Sequence, residues 1–156
     1  MPAVKPIPAG YHSVTPYLCL KNADAAIKFY EKAFGAKETM RLPTPDGGVA
    51  HAEISIGDSR IMLSDEMPAW GNKSAETLGD SPISLAVYVE NVDSAFDQAV
   101  KAGATVKRPV EDQFYGDRAG TLMDPFGYQW SLMTHKEDVS SEEMQKRMKK
   151  MFAAAK

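Results

Sequence analysis

The sequence predicts an α+β fold of two tandem βαβββ modules that form a cleft between them. The segment Asn22–Ile27 (Asn-Ala-Asp-Ala-Ala-Ile) recurs as Asn91–Phe96 (Asn-Val-Asp-Ser-Ala-Phe). Each copy follows a short apolar strand pattern and opens an amphipathic helix that stops at a glycine, Gly35 or Gly103. Further strand patterns follow each helix. Two copies of one supersecondary unit account for all of these observations.

The first module is predicted to span residues 13–65. Asn22 is suited to cap its helix, because an asparagine side chain can accept a hydrogen bond from an unpaired N–H of the first turn. Asp24 then places a negative charge near the helix N-terminus, where the helix dipole favours it. Strand periodicity and turn residues define the remaining elements. The predicted order is a strand over 13–20, a helix over 23–34 and strands over 37–43, 48–56 and 59–65.

The second module is predicted to span residues 83–135, with Asn91 as its helix cap. A connector at 66–82 contains two prolines and two glycines, which favour turns. We expect a single domain over 13–135, an N-terminal arm over 1–12 and a C-terminal helix within 136–156, opened by a capping box from Ser140 to Glu143. The predicted elements of the second module are a strand over 83–90, a helix over 92–102 and strands over 104–110, 116–123 and 127–134.

Composition excludes several classes of function. The 156 residues are 44% hydrophobic, enough for a proper core, and the net charge of −3 provides no electrostatic basis for nucleic-acid binding. A single cysteine excludes an internal disulfide and any multi-cysteine metal site. No apolar run has membrane-spanning length. We therefore expect a cytoplasmic protein that contacts neither membranes nor nucleic acids.

Strand alternation assigns two faces to each sheet. The more apolar face is expected to cover the helices. Matching the turns of the two modules places Arg118 at the position equivalent to His51. The second face mixes aromatic and polar groups, which suits a pocket for a small organic molecule better than a solvated face or a dimer interface. Its candidate ligand-binding residues are Thr15, Tyr17, His51, Glu53, Met62, Ser84, Tyr88, Arg118 and Ser131.

Three of these residues are candidates for catalysis. His51 and Glu53 share one strand face about 7 Å apart, so they could act as a general base and its orienting partner, or form a structural hydrogen-bond network. Arg118 follows a loop with two aromatic residues and could hold a carboxylate, a phosphate or a planar ring. It could equally lock that loop through an ion pair with Asp117 or Glu53. The residues alone leave these alternatives open.

The chain resembles the vicinal oxygen chelate superfamily, and within it the PhnB-like branch of the glyoxalase/bleomycin-resistance group. The resemblance covers about residues 13–135 and implies paired modules around a cleft, often in a homodimer. It also implies that the chain either binds or transforms a small organic molecule. The resembling stretches are Thr15–Leu18, Ala25–Ala36, His51–Glu53, Gly57–Ser59, Met62–Glu66 and Asp124–Tyr128.

The chain departs from this family at the metal site. The resemblance places metal ligands at four positions, which hold Thr15, Met62, Ser84 and Ser131. None is a His, Asp or Glu, so we expect no metal and no cofactor. The predicted function is metal-independent binding of a small organic molecule in the cleft. The alternatives are a lyase or isomerase of the glyoxalase type that uses His51, Glu53 and Arg118, and a structural dimer without a ligand.

Overall fold

The computed structural model describes residues 4–155. The first three residues of the predicted arm, and Lys156 at the end of the predicted C-terminal helix, lie outside the described residues. The chain forms two compact units, with a boundary between Pro82 and Ile83 where the predicted connector ends. Pro125–Gly127 belong to the first unit and the C-terminal helix to the second. Over the described range, no helix has both the length and the apolar character needed to cross a membrane.

The first unit has one four-stranded sheet in the order β1-β4-β3-β2. Strand β1 runs parallel to β4, and the other pairs are antiparallel. The predicted connector folds into a 3₁₀ turn over Pro68–Trp70 and the short helix α2. The elements are β1 (Tyr17–Leu20), α1 (Ala23–Phe34), β2 (Lys37–Pro43), β3 (Val49–Ile56), β4 (Ser59–Asp65) and α2 (Ala75–Leu78).

The second unit repeats this topology, with the sheet order β5-β8-β7-β6 and a parallel pair between β5 and β8. The matching order confirms the predicted α+β fold of two tandem modules. In each unit the outer strand, β2 or β6, has two register irregularities against its neighbour. The elements are β5 (Ser84–Tyr88), α3 (Val92–Ala102), β6 (Thr105–Asp112), β7 (Asp117–Met123), β8 (Gln129–His135) and α4 (Ser141–Ala154).

Helices α1 and α3 match the predicted bounds, and their caps form as expected. The side chains of Asn22 and Asn91 accept hydrogen bonds from the N–H groups of Ala25 and Ser94. Strand β1 is shorter than the predicted 13–20. Pro16 immediately precedes it and has no N–H to donate, although its carbonyl still accepts from the N–H of Met62 at 2.9 Å.

Each unit has a core on the helix side of its sheet. In the first unit Ala52, Ile54 and Leu63 are fully buried, together with Ile27 and Tyr30 of α1. In the second unit the largest fully buried side chains are Trp130, Leu122 and Leu132. Among the strand residues, strand alternation assigns all but Leu122 to the helix face; matching the turns had placed Leu122, with Arg118, on the second face. The second face of each sheet remains for other contacts.

The two units tie the start of the helix to the end of the last strand by the same contact. Asp65 accepts hydrogen bonds from the N–H groups of Ala23 and Val49, both at 2.7 Å. In the second unit Thr134 accepts from the N–H of Val92 at 2.9 Å. The side chain at this position therefore anchors the first turn of the helix to the sheet in both units.

We expect the Asp65→Ala variant to lose about 1–3 kcal/mol of unfolding free energy. The substitution leaves two backbone donors without an acceptor, and Val49 is buried. Asp65 itself is only half-buried, so water can replace part of what is lost. Urea denaturation measures the effect. Asp65→Asn keeps one acceptor oxygen and should fall between the two proteins; an alanine variant as stable as the wild type would contradict the anchoring role.

Candidate functional site

The second face of the first sheet presents a hydrogen-bonded row of three side chains. Tyr17 of β1 lies 3.0 Å from His51 of β3, measured from its hydroxyl to Nδ1. The Nε2 atom of His51 lies 3.4 Å from a carboxylate oxygen of Glu53. The side chains of His51 and Glu53 are 22% and 15% exposed, and Tyr17 is 50% exposed. The row therefore runs from a half-exposed phenol to a mostly covered carboxylate.

One neutral tautomer of His51 satisfies both contacts. An ionised carboxylate only accepts hydrogen bonds, so Nε2 carries the proton and donates to Glu53. Nδ1 is then the acceptor for the hydroxyl of Tyr17. The two rings also contact each other, with centroids 5.6 Å apart. Both nitrogens of His51 are thus engaged, and the group that faces outward is the phenol of Tyr17.

Two further residues belong to this cluster and were not singled out from the sequence. Tyr11 directs a buried hydroxyl towards Glu53 without reaching good hydrogen-bond geometry, and that hydroxyl has no other partner among the described residues. The guanidinium of Arg60 lies 5.8 Å from the centre of the Tyr11 ring. Alternation places Arg60 on the second face, but Tyr11 lies in the arm before β1, where no periodicity indicates a direction.

The neighbours of Glu53 stabilise its charged form. The Tyr11 hydroxyl has the largest effect and, with His51 and Arg60, holds the pKa of Glu53 below its ordinary value despite burial. In the opposite direction, burial first and the Glu53 carboxylate second raise the pKa of Tyr11. The cluster is therefore an ionised carboxylate surrounded by two phenols, an imidazole and a guanidinium.

The other predicted site residues of the first unit lie close to this row. Met62 of β4 is the cross-strand neighbour of both Tyr17 and Glu53. It is half-buried, as is Thr15 just before β1. The first unit thus brings together the predicted residues Tyr17, His51, Glu53 and Met62, and Thr15 lies two residues before Tyr17 in the chain.

In the second unit the predicted residues do not form one cluster. Ser84 is exposed at the start of β5, while Ser131 lies in mid-strand with its hydroxyl 3.3 Å from that of Thr121. Tyr88 donates a hydrogen bond to the buried carboxylate of Asp117 at 2.7 Å. Asp117 was considered from the sequence only as a partner of Arg118.

The predicted equivalence of Arg118 and His51 is wrong. Tyr17 and Ala86 occupy matching positions in the first strand of each unit. Tyr17 pairs with Met62, and Ala86 pairs with Ser131, so Met62 and Ser131 are equivalent. Glu53 pairs with Met62, and Thr121 pairs with Ser131. Two residues earlier in each strand, the position of His51 is therefore occupied by Ala119 and not by Arg118. The error arose in matching the turns, because the turn between β7 and β8 is longer than Gly57–Asp58.

Arg118 therefore points to the helix side of its own sheet. Its guanidinium binds Asp93 at the start of α3, at 2.8 and 2.9 Å, and Asp112 of β6 at 3.2 Å. These contacts raise its pKa further above the ordinary value. Arg118 thus forms ion pairs with Asp93 and Asp112, whereas Asp117, one of the two partners predicted as the structural alternative, contacts Tyr88 and His135.

Comparison with protein families agrees with the repeated topology. The family model described as Glyoxalase/Bleomycin resistance protein/Dioxygenase superfamily matches residues 11–132. The chain belongs to this superfamily. The resemblance predicted from the sequence motifs is thereby confirmed at the level of the superfamily.

Individual relatives extend the comparison. An uncharacterized protein of Mycobacterium tuberculosis is 42% identical over 139 residues, which cover 87% of this chain and 82% of the relative. Among solved structures, TioX from Micromonospora has a TM-score of 0.63 at 22% identity, covering 83% of this chain and all of that one. The PhnB protein from Bacillus cereus has a TM-score of 0.61 at 19% identity, covering 79% and 99%. These two structures share the fold of the superfamily.

The side chains at the superfamily's metal positions do not fit a divalent ion. Thr15, Ser84 and Ser131 offer neutral hydroxyls, and Met62 offers a thioether. Divalent ions in such sites are held by carboxylates and imidazoles. Within residues 4–155 there is also no group of three or more His, Cys, Asp and Glu side chains placed to hold a metal. The donors at these four positions are therefore unsuited to a divalent ion.

Proposed function

We propose that the chain binds a small organic molecule on the second face of its first sheet, against Tyr17, His51, Glu53, Tyr11 and Arg60. The observation that carries this proposal is the row from Tyr17 to Glu53, which ends in a half-exposed phenol and is flanked by the Tyr11 hydroxyl, buried beside Glu53 without a well-formed hydrogen bond. Buried polar groups in folded proteins almost always have partners. A polar ligand atom seated beside Tyr11 would satisfy that hydroxyl.

The composition of the cluster indicates what such a ligand offers. Tyr17, His51 and Met62 provide aromatic and polarizable contact for an apolar body. The guanidinium of Arg60 provides hydrogen-bond donors. Glu53 accepts, and so does the phenol oxygen of Tyr17, whose hydrogen is donated to His51. A small molecule with both a ring and polar substituents suits this mixture better than a simple ion or an aliphatic chain.

Acid–base catalysis as a lyase or isomerase is the second candidate, because the Tyr17–His51–Glu53 row could pass a proton along its length. The lowered pKa of Glu53 argues against this role, since stabilising the charged form of a carboxylate makes it a weaker proton acceptor. Arg118, the third residue of the predicted catalytic set, is paired with Asp93 and Asp112. Binding without turnover is therefore the better-supported function.

A ligand-observed NMR screen of small polar aromatic compounds tests the proposal. We expect binders whose affinity falls about two- to tenfold in Tyr17→Phe and in Tyr11→Phe, since each variant removes one hydroxyl and one hydrogen bond of about 0.5–1.5 kcal/mol. His51→Ala should weaken binding more, while its unfolding free energy changes by less than about 1 kcal/mol, because the imidazole is partly exposed.

Two controls make the result interpretable. Ser59→Ala removes a hydroxyl from the exposed first residue of β4 and should leave binding unchanged. Incubating each binder with the protein and looking for new resonances separates binding from turnover. Compounds that bind all three cluster variants as tightly as the wild type would contradict the proposed site. New product resonances that disappear in His51→Ala, with binding retained, would favour the enzyme.

A structural dimer without a ligand remains the third reading of the second face. A screen in which no compound binds, together with a dimer that dissociates when Tyr17 is replaced by glutamate, would favour it over the binding proposal.

A further inference from the structure

The second unit contains a chain of hydrogen bonds that the proposed function does not use. The buried carboxylate of Asp117 accepts from Tyr88 through one oxygen and contacts Nδ1 of His135 through the other, both at 2.7 Å. The Nε2 atom of His135 lies 2.8 Å from a carboxylate oxygen of Asp138. Four side chains from β5, β7, β8 and the segment after β8 are thus joined on the second face of this sheet.

Asp117 fixes the orientation of His135. Its side chain is 5% exposed and its two oxygens are each engaged, so it cannot turn to another partner without losing the contact with Tyr88 or with His135. The Nδ1–H of His135 is held against this carboxylate, and the opposite nitrogen, Nε2, faces the exposed Asp138. A buried carboxylate that fixes an imidazole in this way determines which nitrogen is presented outward.

The partner of Nε2 differs sharply from the partner of Nδ1. Asp138 is fully exposed, lies three residues beyond His135, and its contact with Nε2 is a surface ion pair of a kind that contributes little to stability. Asp117 first and Asp138 second raise the pKa of His135, so the imidazolium form, with both N–H groups donating, is favoured. The Asp138 carboxylate can therefore be exchanged for another at small cost.

Aromatic surface lies beside this donor. The Tyr88 side chain shares Asp117 with His135, and its residue is 63% exposed. Tyr115, in the turn before β7, lies near enough to Asp117 for that carboxylate, after burial, to raise its pKa. An oriented cationic donor next to phenol rings matches a ligand that combines an anionic group with a ring.

We propose that His135, oriented by Asp117 and flanked by Tyr88, forms a second binding site for small aromatic carboxylates, in which the ligand carboxylate replaces Asp138 at Nε2. This site lies in the second unit and does not depend on the proposed function of the first. Asp138 acts as an internal competitor that occupies the donor until a ligand displaces it.

Benzoate is the probe that tests this site, with the ¹⁵N resonances of the histidine side chains followed by NMR below the ordinary histidine pKa of about 6.5. We expect millimolar benzoate to shift Nε2 of His135. Asp138→Asn should bind about two- to fivefold more tightly, because the competing ion pair is removed. His135→Gln should lose binding. Affinity should also fall as the pH rises through the raised pKa of His135, since the donor loses its charge.

The controls separate a specific site from general charge effects. Glu142→Gln removes one exposed carboxylate from the start of α4 and should leave benzoate affinity unchanged. Benzamide, which is neutral, should not bind, and acetate should bind more weakly than benzoate. The proposal is overturned if benzoate shifts the Nε2 resonance of His135 in neither the wild type nor Asp138→Asn. It is also overturned if benzamide binds as well as benzoate, or if Glu142→Gln tightens binding as much as Asp138→Asn.

Discussion

Replacing Asp124 with alanine is expected to cost about 2–6 kcal/mol of unfolding free energy, the sum of about 1–3 kcal/mol for each of two orphaned buried donors. Asp124 is buried at the end of β7, and its carboxylate accepts from the N–H of Tyr128 and from the indole N–H of Trp130, both at 2.9 Å. Trp130 is completely buried, so water cannot reach its N–H to replace the carboxylate. Equilibrium denaturation in urea measures the loss.

Two further variants identify the cause of this loss. Asp58→Ala removes a carboxylate from the corresponding turn of the first unit, where Asp58 is exposed, and should change stability by less than about 0.5 kcal/mol. Trp130→Phe removes the indole N–H and keeps an aromatic ring. Combined with Asp124→Ala it should cost less than the sum of the single changes, because the two residues share one hydrogen bond. Strict additivity would mean that the indole bond contributes nothing.

Replacing Gly116 with alanine is expected to cost about 2–5 kcal/mol, from left-handed backbone strain of about 1–2 kcal/mol and an overlap of about 1–3 kcal/mol. Gly116 has φ of +101°, and an added Cβ would overlap the carbonyl oxygen of Glu137 and lie 2.9 Å from Val139. The carbonyl of Gly116 also accepts from the N–H groups of Lys136 and Glu137. The turn before β7 and the segment after β8 are therefore packed backbone to backbone.

The matched control is Gly47→Ala. Gly47 has φ of +90°, but an added Cβ would have no atom within 4 Å, so this variant incurs the strain without the overlap. Thermal unfolding of both variants gives the difference, and hydrogen exchange of the Lys136 and Glu137 amides should accelerate only in Gly116→Ala. Equal losses in the two variants would show that close approach at Gly116 has no separate effect.

The sequence predicted those features of the fold that depend on the periodicity of a single chain segment. The repeat around Asn22 and Asn91 predicted both helices, and strand alternation predicted the buried face of β3, because these features depend on nearest neighbours along one chain segment. Alternation also placed Tyr17, His51 and Glu53 on the second face for the same reason, but the contact between Tyr17 and His51 joins distant segments and was not predicted. Whether that face holds a ligand stays a prediction.

Other parts of the site depend on register and on contacts between distant segments. Arg118 was assigned to the wrong face because the turn from Asp124 to Tyr128 adds residues that alternation cannot count, and a shift of one residue reverses every side chain of a strand. Tyr11 lies in an irregular arm, and His135 meets Asp117 only through strand pairing. No local pattern in the sequence indicates either contact.

The irregular outer strands bear on how the protein behaves at high concentration. Strands β2 and β6 each lose register twice, and each contains a proline, Pro43 or Pro109, that has no N–H to offer. A regular exposed edge would present an unbroken row of donors and acceptors on which another chain could add a strand. These two edges interrupt that row, so neither sheet is readily extended from that side by a strand of another molecule.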